Sequence, residues 1–309
     1  RDCFLAFIIV QIILIKIYIT IIFVNKRRYK IMKKLMLSLG FIVTLSFGIN
    51  IQDAQTAFKN GDFESAYKIL NELANKGDIT AKYGLGDMYY NGFAVKQDYN
   101  KAFEWYEKAA NDGLAAAQYN LGYMYENGFA VQQDYKKAFE WYEKSASQGF
   151  ADAQNNLGII YDKALGVEQD YKKAFDLYEK AANQGMAEAQ LNLAVMYDKG
   201  KAVAQNSKKA IEWYEKSASQ GFVHAQYNLG IMYDKGQGVK QDYKKAFELY
   251  EKAANQGFAQ AQLNVGTMYE NAEGVKEDKK KAKEWYKKAC DNRIQEGCEY
   301  YKDLNQKGY

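Results

Sequence analysis

A block of 36 residues recurs through this chain without a break. The copy AAAQYNLGYMYENGFAVQQDYKKAFEWYEKSASQGF begins at Ala115, and close copies precede and follow it. Ala81, Ala117, Ala153, Ala189, Ala225 and Ala261 hold one place in it. Ala102, Ala138, Ala174, Ala210, Ala246 and Ala282 hold a second, and Tyr106, Tyr142, Tyr178, Tyr214, Tyr250 and Tyr286 a third. A period of this length marks stacked supersecondary units, each unable to bury its apolar face alone. It overrides the two domains that 309 residues would otherwise suggest. Most of the chain reads as one solenoid, which favours binding over catalysis.

One unit, residues 116–151, shows the local logic. From Ala116 to Glu126, Ala117, Leu121, Met124 and Tyr125 recur at helical spacing. Gly122 sits inside that helix, where Gly costs about 1 kcal/mol against Ala. Its place is held by Gly86, Gly158, Gly230 and Gly266 and once by Ala194, which predicts a close helix–helix approach. Asn127-Gly128 stops the helix, since Gly takes the left-handed cap. A short loop, FAVQQ, follows. Its Val131 is matched by Val95, Val167, Val203, Val239 and Val275, predicting a loop pinned into the core. Asp134 is placed to cap a second helix from Tyr135 to Ser147. Ala138, Phe139, Trp141, Tyr142 and Ala146 give that helix its apolar face. Glu140 and Lys144 suit an i,i+4 ion pair on its wet side, and Gly149 ends it.

The order AQYNLGYMYENG…V…DYKKAFEWYEKSA…G resembles the Sel1-like repeat, a relative of the tetratricopeptide repeat, over roughly residues 50–305. The resemblance implies an all-α, right-handed α/α superhelical solenoid of helix pairs. Residues 49–79 look like a tetratricopeptide-style N-terminal cap, 80–295 hold six repeats, and 296–309 look like a closing helix. One departure is regular. The family usually carries Pro after the loop Val, and this chain has Lys96, Gln132, Glu168, Ala204, Lys240 or Lys276 there. That change should loosen the loop slightly without altering the fold.

Residues 1–48 are of different composition. Met32 opens MKKLMLSLGFIVTLSFG, with Lys33 and Lys34, an apolar run from Leu35 to Phe47, and small Ser46 and Gly48 at −3 and −1 of a cleavage site. This is a secretory signal pattern. Residues 1–31 read as upstream sequence translated in frame, or alternatively as a membrane anchor, because their apolar run is long enough to span a bilayer. Eight of the 42 basic residues and one of the 38 acidic ones fall within residues 1–48, leaving 34 against 37 and a net charge of −3. A mildly acidic chain whose only arginine outside the leader is Arg293 is a poor nucleic-acid binder. Any membrane association would run through an uncleaved leader, and a monomer is expected.

Cys290 and Cys298 replace an Ala and a Gln of the preceding unit and flank one helix–helix turn, where antiparallel neighbours bring Cα atoms within disulfide range. In an exported protein they are expected to pair; two buried thiols are the alternative. KKACDNRIQEGC also resembles the cysteine-rich subgroup of Sel1-like proteins from Helicobacter, which carry such a pair in most repeats, whereas here one junction has it. The subgroup resemblance implies a second function, weak β-lactam hydrolysis or penicillin or peptidoglycan binding. Ser65-Ala66-Tyr67-Lys68 fits the S-x-x-K spacing, but the partner motifs S-D-N and K-T-G are absent from the sequence. His224 stands at a position that varies freely between units, the mark of a surface site. With a single His and a bridged Cys pair, no metal site and no cofactor are expected.

Binding is therefore expected on the first helices, which line the concave face in this architecture. Removing core positions leaves a variable stripe: Tyr83, Asp87, Tyr90; Tyr119, Tyr123, Glu126; Asn155, Ile159, Asp162; Leu191, Val195, Asp198; Tyr227, Ile231, Asp234; Leu263, Thr267, Glu270. Asn120, Asn156, Asn192, Asn228 and Asn264 run beside it. An amide can serve an extended peptide backbone on both sides, or these amides bond the adjacent repeat. The stripe is either a surface for a protein or peptide partner or drift on a solvated face.

Overall fold

The computed structural model describes residues 49–309; the expected leader at 1–31 and signal at 32–48 lie outside them. Fifteen helices and no strand occur among the described residues. They fall into two compact units, one ending at Leu73 and the other running from Ala74 to Tyr309. In the first, α1 (Ile51–Lys59) starts from a reciprocal capping box in which Asn50 and Asp53 satisfy each other's backbone. Gly61 turns the chain into α2 (Phe63–Asn75), and Ala54, Ala66, Leu70 and Leu73 are its buried residues.

The second unit is the solenoid. First helices α3 (Ile79–Asn91), α5 (Ala115–Asn127), α7 (Ala151–Lys163), α9 (Ala187–Lys199), α11 (Val223–Lys235) and α13 (Ala259–Asn271) alternate with second helices. These are α4 (Tyr99–Asn111), α6 (Tyr135–Ser147), α8 (Tyr171–Asn183), α10 (Ser207–Ser219), α12 (Tyr243–Asn255) and α14 (Lys279–Asp291). Each packs on its sequence neighbours, and α15 (Gln295–Gln306) closes the row against α14. Asp98, Asp134, Asp170, Asn206, Asp242 and Asp278 cap the second helices, each accepting from a first-turn N–H.

What fills the space beside the repeated glycine is a tyrosine ring from the second helix of the same unit. A Cβ built on Gly122 would stand 2.6 Å from the Tyr142 ring, and the other four helical glycines at this position face their own tyrosines at 2.5–2.7 Å. Each of these five tyrosines, and Tyr214 in the unit that carries Ala194, is at most 2% exposed. Small residues thus let a large ring lie flat across a helix, burying more apolar surface than any aliphatic side chain there could.

A second repeated device joins one unit to the next. Gln118, Gln154, Gln190, Gln226 and Gln262 are buried and donate to a carbonyl near the end of the preceding second helix, Ala110, Ala146, Ala182, Ala218 or Ala254. Each accepts in turn from the C-cap amide of its own second helix, as Gln148 Nε2 does with Gln118 Oε1 at 2.8 Å. Each of those carbonyls also accepts a backbone N–H from the turn that follows it, so the glutamine uses its second lone pair and fastens one unit to the next. At its first station an ion pair, Lys82–Asp112 at 2.6 Å, takes the place of the two amides.

The loops depart from the sequence reading in two ways. Their valines are half-buried at the edge of the core rather than sunk within it. The missing proline is answered by a glutamine tie: Gln97, Gln133, Gln169, Gln205 and Gln241 each donate to a last-turn carbonyl of the preceding helix at 2.6–2.8 Å. Lys144 lies over the Trp141 ring at 3.8 Å instead of pairing with Glu140, and Lys108, Lys216 and Lys288 repeat the arrangement on Trp105, Trp213 and Trp285. An ammonium on an indole face outcompetes an exposed ion pair, whose net worth is small.

Ala164 and Ala272 end α7 and α13 in the left-handed conformation, φ 57° for both, where the other repeats use Gly. That backbone costs a non-glycine residue roughly 1–2 kcal/mol, part of which glycine's looser unfolded state returns. Ala164→Gly should raise stability by about 0.5–1 kcal/mol, read as a higher urea midpoint. Cys290 and Cys298 are bonded, with Cα atoms 4.5 Å apart, and tie α14 to α15. Closing so short a loop is worth about 2–3 kcal/mol. Reduction should therefore speed amide exchange in α15 and leave that of α7 and α8 unchanged, because repeat stability is transmitted mainly between neighbours.

Candidate functional site

The stripe on the first helices is organised by the buried tyrosines. Crossing the glycine, each ring brings its hydroxyl out toward the acid near the end of its own first helix. Tyr142 donates to Glu126 at 2.6 Å, Tyr286 to Glu270 at 2.7 Å and Tyr250 to Asp234 at 3.4 Å. The first repeat breaks the rule. Tyr90 stands where the later repeats carry Glu126, Asp162, Asp198, Asp234 and Glu270, and the acid has moved back one turn to Asp87. Tyr106 follows it and donates to Asp87 at 2.7 Å.

That displacement creates a cleft of about 350 Å³ between α3 and α5. Tyr83, Asp87 and Tyr90 line it from α3, and Tyr119, Asn120 and Tyr123 from α5, with Tyr106 at its floor. Ring centroids of Tyr83 and Tyr106 are 5.7 Å apart, and those of Tyr90 and Tyr106 are 6.4 Å apart. Tyr90 leans on Phe129 at 6.2 Å, and Tyr123 on the same ring at 6.0 Å. Burial pushes the Asp87 carboxyl up to about 6, against the hydroxyls of Tyr106 and Tyr83, which favour its charged form. Burial, aided by Asp87, pushes Tyr83 up to about 12; burial likewise lifts Tyr119 to about 12, with Asp152 and Glu126 adding to it. These phenols stay neutral donors at every physiological pH.

The cleft gathers six of the residues singled out in the sequence: Tyr83, Asp87, Tyr90, Tyr119, Asn120 and Tyr123. Tyr123 is 36% exposed, while Tyr119 is half-buried between Tyr142 and Phe150 at 5.6 and 5.4 Å. Tyr227 is also half-buried and lies elsewhere, 4.9 Å from the Phe258 ring. The amide row works largely between repeats. Asn156 Nδ2 donates to the Tyr142 hydroxyl at 3.2 Å, Asn228 to that of Tyr214 at 3.5 Å, and Asn192 to Asn155 Oδ1 at 2.9 Å. Asn120 serves the hydroxyls of Tyr83 and Tyr106, and Asn264 those of Tyr227 and Tyr250. Asn155, counted in the stripe, is fully buried, because its amide packs under the next repeat. Sequence reading missed Tyr106, Asn91 and Met124 as lining residues; the one signal for Tyr106 was the acid displaced from position 90 to 87.

The chemistry-bearing residues elsewhere have structural surroundings. Ser65 donates its hydroxyl to Asp62, and Asp62 Oδ1 accepts the Ser65 N–H at 3.0 Å, a helix-capping arrangement. His224 is exposed at the start of α11, its ring 5.0 Å from Phe258. Among the described residues no group of His, Cys, Asp and Glu is placed to hold a metal, and no helix is long and apolar enough to cross a membrane.

The Sel1 repeat family model matches six consecutive stretches, 79–114, 115–150, 151–186, 187–222, 223–258 and 259–293. No curated protein matches the chain. Among solved structures, c5321, a protective antigen of uropathogenic Escherichia coli with an SLR fold, is 33% identical at a TM-score of 0.74. The alignment covers 84% of this chain and 60% of that one, so the chain spans under two thirds of that relative's length. A Sel1 repeat protein from Oxalobacter formigenes is 31% identical, with 79% of this chain and all of the other covered, at a TM-score of 0.72. Cysteine rich protein B of Helicobacter pylori is 27% identical over 42% of this chain and 93% of its own, at a TM-score of 0.34.

The raised Asp87 carboxyl has a consequence for stability. Its folded value of about 6 exceeds its ordinary 3.8, so folding takes up a proton between those values. The stability this group contributes is full below the unfolded value and lost as pH rises through about 6. Asp87→Asn should therefore raise the melting temperature at about pH 7.5 and change it little at about pH 4. A fall at neutral pH would show that the carboxylate is not under strain.

Proposed function

Because the chain belongs to the Sel1-repeat family, a tetratricopeptide-like group whose members generally bind proteins, we propose that it is an exported scaffold. It holds a protein or peptide partner along the concave face formed by its first helices. The observation that carries this reading is the cleft between α3 and α5. There five tyrosines and an acid with no basic partner gather at one place. Tyrosines supply rigid contact area with a polar tip and dominate protein interfaces for that reason. Tyr90 and Tyr123 bridge adjacent repeats there, so a ligand laid across them would touch two units at once.

Two observations support export, the leader motif and the disulfide. A disulfide joining two helices persists in an oxidising compartment, and the E. coli relative is a protective antigen. The catalytic alternative has less support: Ser65 is engaged as a capping group.

Tyr123 is the residue to test, since it is exposed, whereas truncating half-buried Tyr119 would also cost packing. A photo-crosslinking amino acid at position 123 should capture a discrete cell-envelope or host protein, and one at Glu140, on a second helix, should not. Tyr123→Ala should weaken that partner roughly tenfold, the effect of losing one interface hot spot, with the melting temperature nearly unchanged. Equal capture from both positions would point away from this face.

A further inference from the structure

The partner's chemistry can be narrowed, resting on the reading that the first-helix face binds it. We propose that the cleft between α3 and α5 receives a positively charged side chain of the partner. Its ammonium or guanidinium would sit on the Asp87 carboxylate, walled by the rings of Tyr83, Tyr90, Tyr119 and Tyr123.

Three observations converge. First, the lining contains one charged group, Asp87, and no cation. Among the described residues no lysine or arginine pairs with it; it accepts from the neutral hydroxyls of Tyr106 and Tyr83 alone. A half-buried carboxylate held only by neutral donors gains most from an incoming cation. Second, the walls are mostly tyrosine rings, and an aromatic ring attracts a cation over its face. Third, the protein builds the same combination for itself two repeats later. Lys201 lies 2.9 Å from Asp162 and 4.6 Å from the Tyr171 ring. Shifted back by 72 residues, those three positions are Phe129, Tyr90 and Tyr99. The internal lysine is replaced by an aromatic ring that stacks on Tyr99 at 5.1 Å. The first repeat thus keeps an acid and its tyrosines but lacks the cation that neutralises the third.

Lysine and arginine share this chemistry, and the remaining acids fit a basic segment beyond the cleft. Glu126, Asp162, Asp198, Asp234 and Glu270 follow at one per repeat on the same helices, and of these Asp162 has the internal lysine. An extended chain carrying several positive charges would meet one carboxylate per unit.

The test uses the full chain and capped glycine-serine peptides holding one central arginine, lysine or citrulline, the last being the neutral isostere of arginine. Binding is followed by calorimetry and by the tyrosine ring resonances. The arginine and lysine peptides should bind about tenfold more tightly than the citrulline peptide, and a preference between the two simply names the cation. Asp87→Asn should abolish the difference while melting no lower than the parent, and Glu140→Gln, on the exposed side of a second helix, should leave it intact. Lowering the pH through about 6 should erase the preference as Asp87 protonates. The groups facing it are Tyr83 and Tyr90 from α3, Tyr106 from α4 and Tyr119 and Tyr123 from α5; burial raises Tyr83, Tyr90, Tyr106 and Tyr119, so those four keep their protons throughout. Equal binding of arginine and citrulline, a preference that survives Asp87→Asn, or no arginine binding at millimolar peptide would each overturn the proposal. If position 123 still crosslinks a partner in that case, the binding face stands and the cation site alone has failed. If it does not, the face has failed with it.

Discussion

A tyrosine ring lying flat on a helical glycine is the contact on which this molecule depends. It requires a glycine, or in one unit Ala194, on one helix and a tyrosine on the next, and the pair recurs with the period. Because the ring is buried against the glycine, its hydroxyl cannot choose where to emerge. It arrives at a fixed height on the first-helix face, and an acid must be there to meet it or a donor is left without a partner. The scaffold therefore dictates where charge lies on the surface that a partner would touch.

This coupling explains why one small irregularity matters. When the acid of the first repeat moves back by a turn, the hydroxyl of Tyr106 follows it and the vacated position is filled by Tyr90. A regular row of acids becomes, at one end, a tyrosine-walled recess with a carboxylate inside. The energetic signature is a carboxyl raised well above its ordinary range, a group held in an environment that does not suit it. Proteins tend to retain such conflicts where function needs them and remove them elsewhere.

Much of this was legible in the sequence because repetition makes each position its own control. The helix limits around Ala116–Glu126 and Tyr135–Ser147, the Asp134 cap and the pairing of Cys290 with Cys298 all follow from local patterns, and the structure agrees with each. The residues that misled were those whose surroundings come from the next unit. Asn155 varies between repeats like a surface residue, yet the following helix covers it. Tyr119 is on the stripe but leans into Phe150 from the next helix. Glu140 and Lys144 have the spacing of an ion pair, and the indole of Trp141 intervenes. Gln118 and its equivalents give no local sign of burial, since a polar residue beside a repeated alanine suits a solvated face, whereas the fold turns them inward to serve helix ends. A helical wheel sees one helix; these positions are decided by three.

The glutamine relay also bears on how such a chain could change its length. Its bonds span fixed offsets, 30 residues to the amide that donates and 8 to the carbonyl that accepts. Any interior unit copied or excised in register reconnects the same bonds with its new neighbours. The exceptions sit at the margins, Lys82–Asp112 at the start and Asn292 at the finish. The chain can thus be lengthened or shortened through its middle, as a chain of identical links can. The recess in the first two units would be carried along unaltered, while the distance from it to the C-terminal clasp is free to drift between lineages.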